Sequence, residues 1–123
     1  MNNSNKKANR LPRELWVAAI SLKGLWPEET IEKRMKNILE RMESVYAFEP
    51  DVIVLPETIQ TSWVKESITL EKIAEDENDP GPITSMLAKV AKEQNCYVTC
   101  PIITRKDKQY FNSSILLNRN GDI

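Results

Sequence analysis

Runs of apolar residues along the chain predict strands that lie inside a folded domain. Residues 15–22 are nearly all apolar, and residues 52–55 form a second run of four. Uninterrupted apolar runs of this length are typical of strands that are covered on both faces. Two further strands are predicted over residues 97–104 and 110–117, with Pro101 as an irregularity in the first of them.

Apolar residues at helical spacing separate these strands. Pro27 suits the first turn of a helix, and apolar positions then recur every three or four residues as far as Tyr46. Pro82 opens a second long helix with its own apolar stripe, and residues 68–74 predict a short one. The polar residues 106–108 separate the last two strands and predict a hairpin turn.

The order of these elements predicts an α/β fold. A strand, a helix and a strand within about forty residues form a βαβ unit, whose two strands run parallel with a right-handed crossover. The two long helices can cover one face of a mixed sheet, but nothing in the chain covers the other face. We therefore expect an exposed apolar sheet face, as in the first part of a larger domain or in a chain that pairs tightly with another.

Length and charge narrow the class of protein. A chain of 123 residues has room for one domain, which we expect over residues 14–123 after a disordered polar leader at residues 1–13. The net charge is −1, from 17 basic and 18 acidic residues, which points to neither a nucleic-acid partner nor a membrane surface. The cysteines, Cys96 and Cys100, suggest a reducing compartment, so we expect a cytoplasmic protein.

The residue types exclude several kinds of site within this chain. There is no histidine, which removes Ser-His-Asp triads, Cys-His dyads and Cys/His zinc sites. Only three glycines occur, and they form neither of the usual glycine-rich phosphate loops. We therefore expect no metal and no cofactor.

Glu57 is the main candidate for chemistry. It follows a buried strand and Pro56, so it should lie at the carboxyl end of that strand, the edge of an α/β sheet at which ligands bind. Apolar walls there would raise the pKa of the carboxyl group and suit it to act as a base. The alternatives are a solvated loop residue or the cap of the next helix. The acidic run at residues 75–79 is interpreted as solvated, and the long connection that contains Trp63 as a binding loop.

Residues 51–57, Asp-Val-Ile-Val-Leu-Pro-Glu, resemble the first catalytic motif of the nitrilase, or carbon–nitrogen hydrolase, superfamily. The elements on both sides fit: an apolar strand and a long charged helix precede the motif, and a Gly-Pro helix start follows it. The segment Phe-Asn-Ser-Ser at residues 111–114, with Gly-Asp at residues 121–122, is similar to the family's Tyr-Asn-Ser strand and Asp-Gly turn. The resemblance covers about residues 15–123.

The resemblance implies an α-β-β-α sandwich, of which this chain is the N-terminal part, and a hydrolase acting on carbon–nitrogen bonds other than peptide bonds. It implies a Glu-Lys-Cys thiol mechanism in which Glu57 is the general base. Trp63 and its loop would then border the pocket for a small amide or nitrile. The family's lysine and cysteine would lie beyond Ile123, so these 123 residues alone are expected to be inactive. A homo-oligomer is expected for the full-length protein.

The cysteines and the hairpin lysines of this chain do not fit the roles of the family's nucleophilic cysteine and catalytic lysine. Cys96 and Cys100 fall at a helix–strand junction and inside a strand, and are interpreted as packed thiols. Lys106 and Lys108 are interpreted as exposed charges of the hairpin turn. Ser21 and Cys100 depart from the residues common in the family's first and third strands, which leaves the pocket lining open.

Two other hypotheses stay open at this point. One is a small α/β binding or interaction module that is complete as it stands. The other is an inactive, truncated relative that acts as the partner of a full-length homologue. Neither requires Glu57 to take part in a reaction.

Overall fold

The computed structural model describes residues 14–22, 27, 29–57, 59–61 and 64–123. Within these ranges, four strands and three helices follow one another in the predicted order. They are β1 (Val17–Ala19), α1 (Ile31–Tyr46), β2 (Val52–Val54), α2 (Leu70–Ile73), α3 (Pro82–Glu93), β3 (Tyr97–Lys106) and β4 (Gln109–Leu117). The predicted leader lies outside the described residues. None of the helices in the described ranges is long and apolar enough to span a membrane.

The strands form one mixed sheet in the order β1-β2-β3-β4. β1, β2 and β3 are parallel, and β4 is antiparallel to β3, as the βαβ unit and the hairpin predicted. β2 pairs with β3 only as far as Val54 and Thr99, whereas the β3–β4 pairing continues to Lys106 and Gln109. The hairpin therefore projects beyond the carboxyl end of β2.

Helices α1 and α3 supply the core on one face of the sheet. Alternate residues of the strands turn towards them and are buried, among them Ile53, Val98 and Leu117. Ile38 of α1 and Leu87 of α3 are fully buried in the same cluster. Burying one such side chain contributes about 1.5–3 kcal/mol to folding. The prediction that two long helices cover one face is confirmed.

The other face of the sheet, here called the open face, carries the residues in between. In β1 and β4, Val17 is 57% exposed and Leu116 is 53% exposed, although both are apolar and lie within strands. Strand alternation and register place the following residues on this face: Val17, Ala19, Val52, Val54, Tyr97, Thr99, Pro101, Ile103, Asn112, Ser114 and Leu116. The prediction of an exposed apolar sheet face is confirmed for the described residues.

Two of the predicted boundaries differ most from the structure. Helix α1 begins at Ile31 and not at Pro27, because Thr30 has extended backbone angles and its Oγ1 accepts a hydrogen bond from the Lys33 N–H at 3.3 Å. Strand β1 covers Val17–Ala19 and not residues 15–22, because it pairs with only the three residues of β2.

Pro101 does not interrupt β3, where it pairs with Ser114. The N–H of Ile103, two residues further on, points away from β4, and strand alternation gives the Pro101 nitrogen the same direction. That side of β3 has no partner strand at this level because β2 has ended. The missing N–H of proline therefore falls where the β2–β3 ladder ends.

Candidate functional site

Glu57 lies just beyond the carboxyl end of β2, as predicted. The Leu55 N–H donates to the Thr99 carbonyl at 3.0 Å, and Pro56, which has no N–H, then ends the pairing with β3. The side chain of Glu57 is exposed. The apolar walls expected around it are therefore not supplied by the described residues, and that part of the prediction was wrong for them.

The carboxylate of Glu57 is held by a residue of the hairpin. Asn112 Nδ2 donates to Glu57 Oε1 at 2.6 Å. An ionised carboxylate only accepts hydrogen bonds, so the nitrogen of the amide is the atom that must face it. Asn112 is on the open face, and Glu57 therefore lies over that face where the hairpin projects past β2. The contact between Asn112 and Glu57 was not predicted from the sequence, because the motif that contains Asn112 does not show which residue its side chain meets.

Gln60 ties the segment after Glu57 to the same hairpin. It is 1% exposed, its Oε1 accepts from the Ile103 N–H at 2.7 Å, and its Nε2 donates to the Ile73 carbonyl at 2.9 Å. The carboxamide oxygen of Gln60 thus accepts the β3 hydrogen bond that the carbonyl of a neighbouring strand would otherwise accept. Its bond partner Ile103 is the residue that pairs with Asn112 across the hairpin.

Glu75 is buried, and the prediction that the whole acidic run is solvated was wrong for this residue. It is 4% exposed, and its carboxylate accepts from the N–H groups of Ile83 and Thr84 at 2.7 and 2.9 Å and from the Thr84 hydroxyl. Helix α3 starts after Gly81, which has no side chain to cap it. The free N–H groups and positive end of the helix dipole therefore attract an acceptor from elsewhere in the chain. The glycine before α3 is the sequence signal from which a buried acceptor such as Glu75 could have been predicted.

The two thiols and the two hairpin lysines lie where the sequence predicted. Cys96 and Cys100 are fully buried. Burial, and then the nearby charge of Glu75, raise the pKa of the Cys100 thiol to about 12. A thiol that stays protonated is a poor nucleophile, and a fully buried thiol is out of reach of a substrate, so Cys100 and Cys96 do not suit that role. Lys108 is exposed in the hairpin turn, and Lys106 is exposed at the end of β3 beside it.

Trp63, predicted to border the pocket, lies outside the described residues. Within the described ranges, no group of three or more His, Cys, Asp or Glu side chains is arranged to hold a metal ion. The described site therefore consists of Glu57, its hydrogen-bond donor Asn112 and the anchor Gln60.

This arrangement is suited to proton transfer. Oε1 of Glu57 is held by Asn112, and Oε2 accepts no hydrogen bond from the described residues. A carboxylate held in this way can take a proton from a group that approaches over the open face, provided that the two come within about 3 Å.

Comparisons with known proteins bear on the family and the fold of the chain. The sequence model of the carbon–nitrogen hydrolase family matches residues 16–123. No curated protein sequence matches the chain.

Three solved structures illustrate the similarity of the fold. An N-terminal amidase with a bound Gln-Gly peptide is 17% identical, with a TM-score of 0.68, over 88% of this chain and 26% of that one. A carbon–nitrogen hydrolase from Helicobacter pylori G27 is 12% identical, with a TM-score of 0.62, over 88% of this chain and 36% of that one. The NitN amidase from Neterenkonia sp. AN1 is 10% identical, with a TM-score of 0.64, over 89% of this chain and 41% of that one.

The chain thus spans between about a quarter and two fifths of the length of these structures. At this level of identity the similarity shows the α/β fold, and the match of the family model extends over nearly all of the chain. The resemblance predicted from the sequence is confirmed, and the chain belongs to the carbon–nitrogen hydrolase family.

Proposed function

We propose that this chain contributes the general base, Glu57, to the hydrolysis of a carbon–nitrogen bond in a small amide or nitrile. The observation that carries the proposal is the position of the Glu57 carboxylate, beyond β2 and over the open face, with one oxygen held by Asn112. Membership of the family supports the class of reaction.

In the proposed reaction of an amide, a cysteine thiol gives its proton to Glu57, and the thiolate forms a bond to the carbonyl carbon. A lysine stabilises the negative oxygen of the tetrahedral species. The carbon–nitrogen bond then breaks, and the nitrogen leaves with the proton held by Glu57. Glu57 next takes a proton from water, whose oxygen attacks the thioester. The carbon–sulfur bond then breaks, the acid is released, and the proton held by Glu57 returns to the sulfur and restores the thiol.

The proposal requires that the cysteine and the lysine come from outside residues 1–123. Cys100 is buried with a pKa of about 12, and Cys96 is buried as well. The exposed lysines lie at the tip of the β3–β4 hairpin. Asn112 and Glu57 meet further from that tip, closer to the end of β2. The sandwich expected for the family would bring the missing groups over the open face.

Covering the open face would also change the surroundings of Glu57. In the described chain the carboxylate is exposed, and Val17 and Leu116 expose more than half of their surface on the same face. A second sheet packed there would exclude water and strengthen every electrostatic interaction at the site. The proposal therefore treats the exposed carboxylate and the exposed apolar face as two parts of one incomplete site.

The experiment uses the polypeptide that is encoded by the whole reading frame, here called the encoded polypeptide. Ammonia release is measured with an aliphatic amide, a nitrile, an N-carbamoyl amine and a Gln-Gly peptide, the last because such a peptide is bound in the N-terminal amidase structure. At least one substrate should be turned over, and Glu57→Gln should lower kcat by roughly 10²–10⁴-fold.

The matched control is Glu77→Gln, which neutralises an exposed carboxylate elsewhere in the chain and should leave kcat unchanged. Residues 1–123 on their own should release no ammonia. The proposal is wrong if no carbon–nitrogen substrate is hydrolysed, or if the Glu57→Gln variant keeps the activity of the unmodified protein.

A further inference from the structure

We propose that Asn112 is a positioning residue for the general base: its side-chain amide holds Oε1 of Glu57 so that Oε2 is presented to the reacting thiol. The inference rests on the proposed function and adds to it a residue that acts through Glu57. The bond from Asn112 Nδ2 to Glu57 Oε1 is 2.6 Å long and joins residues 55 positions apart in the chain.

The backbone of Asn112 is firmly placed. It belongs to an antiparallel hairpin in which nine residue pairs run without interruption from Val98 and Leu117 to the turn. Its cross-strand partner Ile103 directs its N–H to Gln60 and its carbonyl to the Glu75 N–H, both away from β4. The two residues therefore form a pair without hydrogen bonds between them, the type with the shorter distance between strands.

Glu57 is attached to the same hairpin from the other side. Before it, the Leu55 N–H is bonded to Thr99 of β3. After it, Gln60 is bonded to Ile103, the partner of Asn112. The chain is thus tied to β3 by a backbone hydrogen bond before Glu57 and by a side-chain hydrogen bond after it, so the base and the amide that holds it are attached to the same hairpin.

Among the described residues, only Asn112 is hydrogen-bonded to the side chain of Glu57. The Glu57 side chain is exposed and has three rotatable bonds, and its fixation in one rotamer costs conformational entropy. A bond formed before the substrate arrives removes that cost from the reaction step. A neutral amide does this without placing a positive charge beside the carboxylate, and a positive charge would weaken it as a base.

The test compares the steady-state kinetics of the Glu57→Gln variant with those of four further variants of the encoded polypeptide. Asn112→Ala should lower kcat roughly tenfold to a hundredfold, the usual range for groups that orient a reacting side chain, with KM changed less than about twofold. Asn112→Val should do the same, and its β-branched side chain suits a strand if alanine disturbs folding. Gln109→Ala removes an exposed carboxamide from the helix-facing side of β4 and should leave kcat unchanged.

The fourth variant separates positioning from a general structural role. If Asn112 acts through Glu57, the double variant Glu57→Gln, Asn112→Ala should be no slower than Glu57→Gln alone. Losses that multiply in the double variant would overturn the inference, as would Asn112 variants that keep the kcat of the unmodified protein while Glu57→Gln loses it. If Glu57→Gln is itself fully active, the proposed function fails together with the inference, so the two failures are distinguishable.

Discussion

At the scale of single residues, the buried carboxylate of Glu75 decides how helix α3 begins. Glu75→Ala removes the acceptor of the Ile83 and Thr84 N–H groups inside the protein, so we expect the free energy of unfolding to fall by about 2–4 kcal/mol. Urea denaturation of the chain measures it. Glu77→Ala, two residues away and exposed, should change stability by less than about 0.5 kcal/mol. Equal losses for the two variants would contradict this account.

A second residue-scale prediction concerns Cys100, whose folded-state pKa of about 12 lies above the usual value of 9. In the folded chain the thiol should react slowly with a thiol-specific reagent at pH 8, and its rate should rise with pH up to about 12 without levelling off near 9. Labelling in urea, followed for each cysteine by mass spectrometry, gives the unfolded rate. Labelling of folded Cys100 at pH 8 as fast as in urea would refute the assignment.

Residue positions were predictable where they depend on neighbours in the sequence. Pro56 ends β2 and so places Glu57 at the sheet edge, and this needs no knowledge of the rest of the fold. The contact with Asn112 depends on the register of a hairpin 55 residues away, which sequence alone does not set. The burial of Glu75 was missed because a run of acidic residues usually stays in water, and the uncapped start of α3 overrides that tendency.

At the scale of elements, the β3–β4 hairpin has a turn that suits Asp107 but not Lys108. Asp107 and Lys108 have φ angles of +50° and +63°, the left-handed pair of a type I′ turn. Lys108→Gly should therefore raise the free energy of unfolding by about 0.5–1 kcal/mol, measured by urea denaturation. Lys106→Gly, in the last residue of β3, should lower it instead. A loss of stability for both variants would contradict the turn assignment.

The kinds of elements were easier to predict than their ends. Apolar periodicity identified both long helices, since their stripes face the core. The start of α1 depends on which residue caps it. The cap is Thr30, because its hydroxyl accepts a backbone hydrogen bond, and the helix therefore begins after Thr30 and not at Pro27. The length of β1 depends on its partner, because only three residues of β2 are available for pairing.

At the scale of the whole molecule, the open face makes a prediction about what covers it. Leu116→Lys should change the stability of residues 1–123 by less than about 0.5 kcal/mol, because the side chain is already exposed. In the encoded polypeptide the same change should cost about 2–3 kcal/mol if a second sheet buries that position. Leu117→Ala, which opens a cavity in the helix-facing core, should cost about 2–5 kcal/mol in both. Urea denaturation of both polypeptides supplies the comparison, and an equally small effect of Leu116→Lys in both would contradict the two-sheet arrangement.

The exposed face was itself predictable, because the two long helices can cover only one face of a sheet whose strands are apolar on both. What covers the open face was not predictable, because an exposed apolar surface does not specify its partner. The sequence likewise supports a proposal for the base but for neither the nucleophile nor the substrate.

The central claim, that Glu57 takes the proton of a catalytic thiol, is tested most directly without any substrate. The encoded polypeptide is alkylated with iodoacetamide at neutral pH, and the rate at the catalytic cysteine is followed by mass spectrometry, with the buried Cys96 and Cys100 as slow internal references. We expect Glu57→Gln to slow this alkylation at least about tenfold and Glu77→Gln to leave it unchanged. Equal rates in the Glu57→Gln variant and the unmodified protein would contradict the claim.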